Sequence, residues 1–467
     1  MLIRFIVSNF LSFNKRQEFS MISGKRIRSH KDHVIDDKKI KILKFTEVFG
    51  ANAAGKSNLV ESMEFARQTI LSRLPYNHSR KYCRINEENR EIPSLFEFEI
   101  KIGLKYYAYG FKVILSKSSI VEEWLYQIDP KKDVKPIYTR DIREKQFEPG
   151  QGLSKDLHDF LTKHGDSIKS DDQKLFLTEI NRYNTDFFQA NECSWELRDV
   201  YYWFVNSLDI NYPNRPIGSQ SYFMVDKDIE SINNIISSFG LGIIEFQRKT
   251  TTLEEISHII PGGLFPKIFE DVSDKYEQKL THNNSEEKLK KNLSSMFIRI
   301  NKEFFIMTID PKTSQPSFQK IQFKHIAEGS MFDWSEESDG TIRMLDLLEV
   351  LFAAKNETQD KIFVIDEINR SLHPQLTYKL IENFLKTAKN NIQLIVTTHE
   401  SHLLDLKMLR RDEIWFIDKN QLGESSIYSL DAFSVRFDKH IGKAYFDGRY
   451  GGIPLFDRIY PLKSEDA

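Results

Sequence analysis

The chain alternates between short apolar runs, which predict strands, and longer segments with an apolar residue every three or four positions, which predict helices. The most regular strand and helix pair spans residues 45–70. An apolar run over 45–49 predicts a buried strand. Apolar side chains then recur at steps of four, three and four along one helix face: Leu59, Met63, Ala66 and Ile70. This pair encloses the most informative sequence of the chain.

The loop between this strand and helix reads Gly50-Ala51-Asn52-Ala53-Ala54-Gly55-Lys56-Ser57, which fits the P-loop pattern G-x-x-x-x-G-K-[ST]. Glycines at both bends let consecutive N–H groups point inward, and the helix N-terminus completes a site for polyphosphate. Lys56 is expected to reach the β- and γ-phosphates of ATP, and Ser57 to supply a hydroxyl to Mg²⁺. The predicted nucleotide-binding residues here are Gly50, Asn52, Ala53, Ala54, Gly55, Lys56, Ser57 and Asn58.

Strands are also predicted on both sides of this motif, and the last two, over residues 413–418 and 425–430, are predicted to form a closing hairpin. Residues 2–7 and 17–21 precede it as two strands, and the basic, polar residues 24–41 indicate a surface loop. Alternating apolar and polar residues separated by turn residues predict an antiparallel meander over three further segments: 95–102, 106–114 and 119–126. The aromatic side chains of 96–111 are interpreted as half-buried sheet residues rather than as contacts to adenine.

The middle of the chain has a different composition. It is rich in Lys, Glu, Asp, Asn and Ser, and its pattern indicates helices separated by loops. It predicts a helical insertion over residues 131–300, between an N-terminal lobe (1–130) and a C-terminal lobe (301–467). The polar stretch 275–293 has no sustained heptad, so a long coiled-coil arm is not expected. A basic patch at the end of this stretch and just after it is interpreted as an exposed helix face in preference to a DNA contact: Lys288, Lys290, Lys291, Arg299 and Lys302.

A second cluster of motifs lies in the C-terminal lobe. Ser338-Asp339-Gly340 begins a predicted helix and offers a hydroxyl and backbone N–H groups to a phosphate. Asp366 follows Gly340 by 26 residues and, with Glu367, ends an apolar strand. Ligands bind at the carboxyl ends of such strands. Asp366 is expected to hold Mg²⁺ through its water shell, and Glu367 to orient or deprotonate the attacking water.

Two histidines follow. The apolar run 392–398 predicts another buried strand, which ends at His399. In the ABC-type ATPases that this order of motifs resembles, a histidine at this position hydrogen-bonds the γ-phosphate, so the resemblance implies that the catalytic residues are Lys56, Glu367 and His399. The other histidine, His373, lies in Ser371-Leu372-His373-Pro374.

Composition narrows the class of protein. The chain has 66 basic and 68 acidic side chains, so no global charge excess indicates a polyanionic partner. Only Cys83 and Cys193 occur, which suits a reducing compartment. No apolar stretch approaches the length of a membrane span. A cytoplasmic protein without a membrane partner is therefore expected.

The motifs together resemble a known family. The opening Val7-Ser8-Asn9-Phe10-Leu11-Ser12-Phe13, the P-loop, the Ser338 turn, the Asp366–Glu367 strand end and His399 occur in the order of the ABC-type ATPases of the SMC, RecF and OLD group. Ser371–Pro374 is similar to their D-loop, with His373 in place of the usual aspartate. The ending Gly448–Pro454 resembles that of stand-alone ATPases from prokaryotic anti-phage operons.

This resemblance implies an α/β fold: an ABC-type P-loop ATPase head with an antiparallel β layer and a helical insertion. It also implies a homodimer, or a higher homo-oligomer, that sandwiches ATP and Mg²⁺ between heads. In that arrangement Ser338 and Gly340 of one head complete the nucleotide site of the other.

Two classes of function follow from the resemblance. One is an ATPase that senses a trigger and controls a separate nuclease or toxin effector in anti-phage defence, with a Toprim-like nuclease as the expected effector. A Toprim nuclease needs an Asp-x-Asp pair, and none occurs in the 68 residues after His399. The alternative is an ATPase of the RecF or SMC type that binds DNA directly in repair or chromosome organisation.

Overall fold

The computed structural model of the protein describes residues 1–37, 39–129, 134–183, 195–213, 229–257, 295–300, 303–309 and 316–433. The chain forms two compact units. The described residues of the first unit lie within Met1–Arg215, Ala353–Arg370 and Leu380–Ala467, and those of the second within Pro216–Phe352 and Ser371–Lys379.

The strands of the described residues, in chain order, are β1 (Leu2–Ser8), β2 (Gln17–Ser20), β3 (Val34–Asp36), β4 (Lys41–Leu43), β5 (Phe45–Phe49), β6 (Ser94–Ile102), β7 (Lys105–Ile114), β8 (Ser119–Ile128), β9 (Lys135–Asp141), β10 (Gln146–Pro149), β11 (Leu208–Asn211), β12 (Glu245–Thr251), β13 (Ser295–Ile300), β14 (Glu303–Ile309), β15 (Pro316–Lys324), β16 (Met331–Asp333), β17 (Lys361–Ile365), β18 (Ile392–Thr398), β19 (Ile414–Lys419) and β20 (Ser425–Ser429). The α-helices are α1 (Lys56–Leu71), α2 (Lys155–Ile168), α3 (Phe176–Tyr183), α4 (Trp195–Tyr202), α5 (Ile229–Ser238), α6 (Leu253–Ser257), α7 (Asp339–Asn356) and α8 (Pro374–Thr387).

A six-stranded sheet in the order β11-β17-β18-β5-β19-β20 forms the centre of the first unit. Its first five strands are parallel, and β20 pairs antiparallel with β19. Every residue of β5 and β18 is buried. Continuous burial explains why apolar residues predominate in both strands, because strands at the centre of a parallel sheet are covered on both faces.

The second layer of this unit is a seven-stranded antiparallel sheet in the order β10-β9-β8-β7-β6-β1-β2. Buried side chains of both sheets and of α1 belong to one hydrophobic core. Phe65 of α1 contacts two aromatic rings, Phe10 in the turn after β1 and Phe96 of β6, each with a centroid distance of 5.1 Å. This packing fixes α1, and with it the P-loop that precedes α1.

The structure confirms the predicted meander, which corresponds to β6, β7 and β8, and the predicted closing hairpin, which is β19 and β20. It differs from the prediction at 24–41, where β3 lies within the expected loop and pairs antiparallel with β4, which begins at the last residue of that loop. The second unit holds a further antiparallel sheet in the order β12-β15-β14-β13, with β16 paired to β15.

The described part of the predicted helical insertion, residues 131–300, contains strands as well as helices. Strands β9 and β10 extend the antiparallel sheet to seven strands, and β11 joins the parallel sheet beside β17. The sequence missed β10 (Gln-Phe-Glu-Pro) and β12 (Glu-Phe-Gln-Arg-Lys-Thr-Thr) because strands with a mostly solvated face carry few apolar residues. The described part of 131–300 is therefore mixed helix and strand.

The basic patch over 288–302 lies outside the described residues except for Arg299 in β13, and the ending Gly448–Pro454 lies wholly outside them.

No helix among the described residues combines the length and the apolar character that a membrane span requires.

Candidate functional site

The P-loop lies between the buried strand β5 and helix α1, as predicted. A side chain at Gly50 would meet the backbone oxygen of Ile417 at 2.5 Å, so this bend accepts only glycine. Gly55 has a φ of +117° and begins α1 without a side-chain cap, and the first turn of α1 carries no acidic residue. No acidic side chain of the first turn therefore competes with a phosphate for the first N–H groups of α1, and this arrangement fits a phosphate.

Lys56 is held on the loop itself. Its Nζ donates hydrogen bonds to the carbonyl oxygens of Gly50 (2.7 Å) and Ala51 (3.0 Å), and the residue is only 7% exposed. Burial lowers the pKa of the Lys56 ammonium from its ordinary value, whereas the carboxylates of Asp366 and Glu367 act in the opposite direction. The lysine therefore lies in the field of both predicted acidic residues.

Two serines that the sequence analysis did not assign form hydrogen bonds with the P-loop and with the first turn of α1. The Ser425 hydroxyl donates to the Ala54 carbonyl oxygen at 2.5 Å, and Ser425 Oγ lies 2.8 Å from the Ser12 hydroxyl oxygen. Ser12 also accepts a 2.6 Å hydrogen bond from the Asn58 amide. Asn58, predicted to bind nucleotide, thus directs its amide to Ser12. The signal for Ser12 was present in the Asn-Phe-Leu-Ser-Phe opening, while nothing in the sequence marked Ser425.

The predicted acidic pair follows β17. Asp366 is 4% exposed, and its Oδ1 accepts a 2.6 Å hydrogen bond from the Thr397 hydroxyl. The same hydroxyl accepts a 2.8 Å hydrogen bond from the backbone N–H of Glu367. Glu367 has a φ of +47°, a left-handed conformation that is unusual for a residue other than glycine. Such backbone strain concentrates at functional sites, where the surrounding structure holds it.

His399 follows β18 and is exposed. Its Nε2 lies 3.3 Å from Nδ2 of Asn369, and the Thr398 hydroxyl donates to Oδ1 of the same asparagine at 3.1 Å. Asn369 therefore holds the His399 ring through its amide, a role that the sequence analysis did not foresee. Its position three residues after Asp366 was the only available signal.

The order of the sheet explains why these residues meet. Strands β17, β18 and β5 are neighbours and run parallel, so the loops after them emerge at one edge of the sheet. Ligand sites in open α/β sheets form at this carboxyl edge. The structure brings together there Lys56, Ser57, Asp366, Glu367 and His399.

Ser338 and Gly340 belong to the second unit. The Ser338 hydroxyl accepts a 3.1 Å hydrogen bond from the N–H of Thr341 and thereby caps α7. A side chain at Gly340 would lie 2.7 Å from the carbonyl oxygen of Ser371, so the turn and the loop before α8 are in close contact. Ser338 is exposed.

His373 caps α8. Its carbonyl oxygen accepts the N–H of Leu376 at 2.8 Å, and its Nδ1 accepts the N–H of Gln375 at 3.3 Å. Because these bonds satisfy donors at the start of the helix, a structural role accounts for the His373 side chain.

No cluster of three or more His, Cys, Asp or Glu side chains that could hold a metal ion occurs in the described part of the chain. Mg²⁺ in nucleotide sites needs no such cage, because phosphate oxygens and water provide most of its ligands. The exposed Ser57 hydroxyl and the Asp366 carboxylate fit the remaining role.

A P-loop at the end of a buried parallel strand, with acidic residues after a neighbouring strand, defines the class of P-loop ATPases. Residues 45–405 match the protein family described as AAA domain, putative AbiEii toxin, Type IV TA system. The chain belongs to this family, and the match confirms the expected ATPase class.

Two solved structures are similar to the chain. One is the SMC head bound to the C-winged helix domain of ScpA (12% identity, 92% of this chain and 97% of that chain covered, TM-score 0.35). The other is the SMC head domain from Thermotoga maritima (10% identity, 93% and 99% covered, TM-score 0.35). A comparison with curated protein sequences finds no match.

Proposed function

We propose that the chain hydrolyses ATP with Mg²⁺ as a dimer of heads, and that nucleotide-dependent closure of the heads controls a separate effector in anti-phage defence. The observation that carries the ATPase part is the convergence of Lys56, Asp366 and Glu367 at the N-terminus of α1. Their electrostatic coupling appears in the pKa of Lys56, which both carboxylates act to raise.

In this proposal Lys56 leaves the carbonyl oxygens of Gly50 and Ala51 and binds the β- and γ-phosphates together with the N–H groups of α1. Glu367 orients the attacking water and accepts its proton. His399, oriented by Asn369, donates a hydrogen bond to the γ-phosphate. Bound Mg²⁺ supplies charge neutralisation at the phosphate oxygens, and Ser57 and Asp366 are the residues that would hold it.

Ser338 and Gly340 are proposed to act on the nucleotide of a second copy. Both lie at the start of the 18-residue helix α7, and a helix N-terminus with an exposed hydroxyl suits a phosphate. If the partner copy supplies this turn, ATP is part of the interface between the two heads. Hydrolysis then removes contacts from that interface, and the heads separate.

The effector part of the proposal rests on the family, whose description names a toxin and a toxin–antitoxin system. That description supports control of a toxic activity in preference to DNA repair. A Toprim-like nuclease encoded separately remains the effector we propose. DNA cleavage by the purified chain alone, abolished by Asp366→Ala, would contradict a separate effector.

The decisive experiment on the ATPase compares two buried lysines, one immediately before β5 and the other at the start of α1. Lys44 and Lys56 are both 7% exposed, and Lys44 donates to the Ala388 carbonyl oxygen at 2.9 Å. We expect Lys56→Ala to lower ATP turnover by about a hundredfold or more, because it removes a fixed cation from the transferred phosphate. Lys44→Ala should reduce thermal stability and retain turnover by the folded protein. Equal turnover in Lys56→Ala and wild type refutes the site.

A further inference from the structure

A cavity of about 700 Å³ lies in the first unit, between the β3–β4 hairpin and the segment that follows β2. Its volume is in the range of sites for small organic ligands. Its lining includes six cationic side chains: Lys25, Arg28, Lys31, Lys39, Lys41 and Arg410. No step of the proposed ATPase mechanism uses any of them.

The cavity is separate from the P-loop. Strand β4 ends at Leu43, immediately before β5 begins, and Arg410 precedes β19, which runs parallel to β5. Both features place the cavity at the amino edge of the parallel sheet, whereas the P-loop follows the carboxyl end of β5. The five residues of β5 separate the two sites by roughly 15 Å at about 3.3 Å per residue.

The positive charge of the cavity is only partly balanced. Lys41 pairs with Asp36 at 3.2 Å, Lys39 pairs with Asp129 at 3.4 Å, and the Arg410 guanidinium pairs with Asp412 at 2.7 Å. The other three cations have no ion-pair partner among the described residues: Lys25, Arg28 and Lys31. They are exposed at the cavity. An anionic ligand would supply the missing counter-charge.

One wall of the cavity is held in place by hydrogen bonds of Arg410 and Asp412. Buried Arg410 donates to the Ser23 hydroxyl at 2.8 Å and to the Ser29 carbonyl oxygen at 2.6 Å. Its partner Asp412 accepts the N–H of Gly24 at 2.6 Å. These bonds hold both ends of the segment that carries Lys25 and Arg28. The cations are therefore presented from an ordered backbone, which lowers the entropic cost of binding.

The cavity also has an apolar surface, to which four aliphatic side chains contribute: Ile22, Ile27, Val34 and Ile40. Cations beside aliphatic side chains suit a ligand that is part phosphate and part organic. We propose that this cavity binds a phosphate-bearing ligand of nucleotide size, either a free nucleotide or the 5′-phosphorylated end of a nucleic acid strand.

The test uses the full chain and titration calorimetry. The probes are thymidine 5′-monophosphate, thymidine, and a deoxythymidine hexamer with or without a 5′-phosphate. The cavity variant is Lys25→Gln, Arg28→Gln, Lys31→Gln. The control variant makes the same charge change at exposed residues elsewhere: Arg143→Gln, Lys155→Gln, Lys163→Gln. Retained ATP turnover checks that both variants are folded.

We expect a phosphorylated probe to bind wild type and control equally, and to bind the cavity variant about tenfold or more weakly. Thymidine should not bind. Binding of the monophosphate identifies a free nucleotide, whereas binding of only the 5′-phosphorylated hexamer identifies a strand end. Equal binding of the two hexamers without binding of the monophosphate, equal affinity of the cavity and control variants, or no binding by wild type would each overturn the proposal.

Discussion

The hydroxyl of Thr397 donates a 2.6 Å hydrogen bond to Oδ1 of Asp366 and accepts one of 2.8 Å from the N–H of Glu367. One buried side chain on β18 thus fixes both acidic residues that follow the neighbouring strand β17. Because the Thr397 hydroxyl satisfies one oxygen of Asp366, it also restricts how that carboxylate can turn.

Thr397→Val keeps the shape of the side chain and removes both hydrogen bonds. We expect ATP turnover to fall by about tenfold or more and the Mg²⁺ concentration needed for half-maximal activity to rise, as for other residues that orient metal-binding groups. The matched control is Thr46→Val, which removes a buried hydroxyl from adjacent β5 that lies within hydrogen-bond distance of the Phe45 carbonyl oxygen and Met21 Sδ. Magnesium titrations of both variants are compared. The same Mg²⁺ requirement in both would contradict the role of Thr397.

Glu367→Gln preserves the size of the side chain and removes the proposed base. ATP should still bind, but hydrolysis should fall by about a hundredfold or more. If the two heads stay closed on each other until ATP is hydrolysed, this variant should elute from size exclusion as a larger species with ATP than without it. The double variant Lys56→Ala, Glu367→Gln is the control, since it should not respond to ATP. An unchanged elution of Glu367→Gln argues against closure of the heads.

Sharing of the nucleotide site between copies predicts complementation. Lys56→Ala and Ser338→Arg should each be inactive alone, because each destroys both sites of its homodimer. A heterodimer of the two keeps one site intact, with Lys56 from one copy and Ser338 from the other. Mixing should therefore restore part of the ATP turnover. Mixtures that stay inactive, while tagged wild-type subunits exchange under the same conditions, would show that the site lies within one copy.

Glu47 predicts a pH-dependent stability. It is fully buried in β5, and neither carboxyl oxygen has a hydrogen-bond partner among the described residues. Burial, and secondarily the nearby Glu413, raises the pKa of Glu47 well above its usual value of 4.5. Glu413 itself pairs with His33 at 3.0 Å. The folded state therefore keeps a proton on Glu47 that the unfolded state releases. Stability is lost as the pH rises above 4.5, by about 1.4 kcal/mol per pH unit until the folded pKa is reached.

Glu47→Gln cannot release a proton. Its melting temperature relative to wild type should increase from pH 5 to pH 8, as measured by thermal unfolding. The exposed Glu144→Gln should show no such trend. A difference between Glu47→Gln and wild type that stays constant across this pH range would show that Glu47 ionises without penalty in the folded protein.

Local patterns were sufficient for much of the fold. The buried strands β5, β17 and β18 are short apolar runs, and the meander β6–β8 alternates clearly, so both could be predicted from the sequence. The strands β10 and β12 could not be predicted, because strands that are largely exposed to solvent carry mostly polar residues and lack an apolar pattern. Pairing with β9 and β15, respectively, defines them as strands.

The sequence by itself determined the chemistry of the candidate site. Strand, glycine loop and helix are contiguous around Lys56, and Asp366 and Glu367 end an apolar run, so each motif is encoded within a few residues. Only the tertiary structure decided which side chains orient them. Thr397 reaches Asp366 from 31 residues away, and Ser425 reaches Ser12 from 413. Such contacts depend on the order of strands in the sheet, and single buried hydroxyls carry no local pattern that would reveal them.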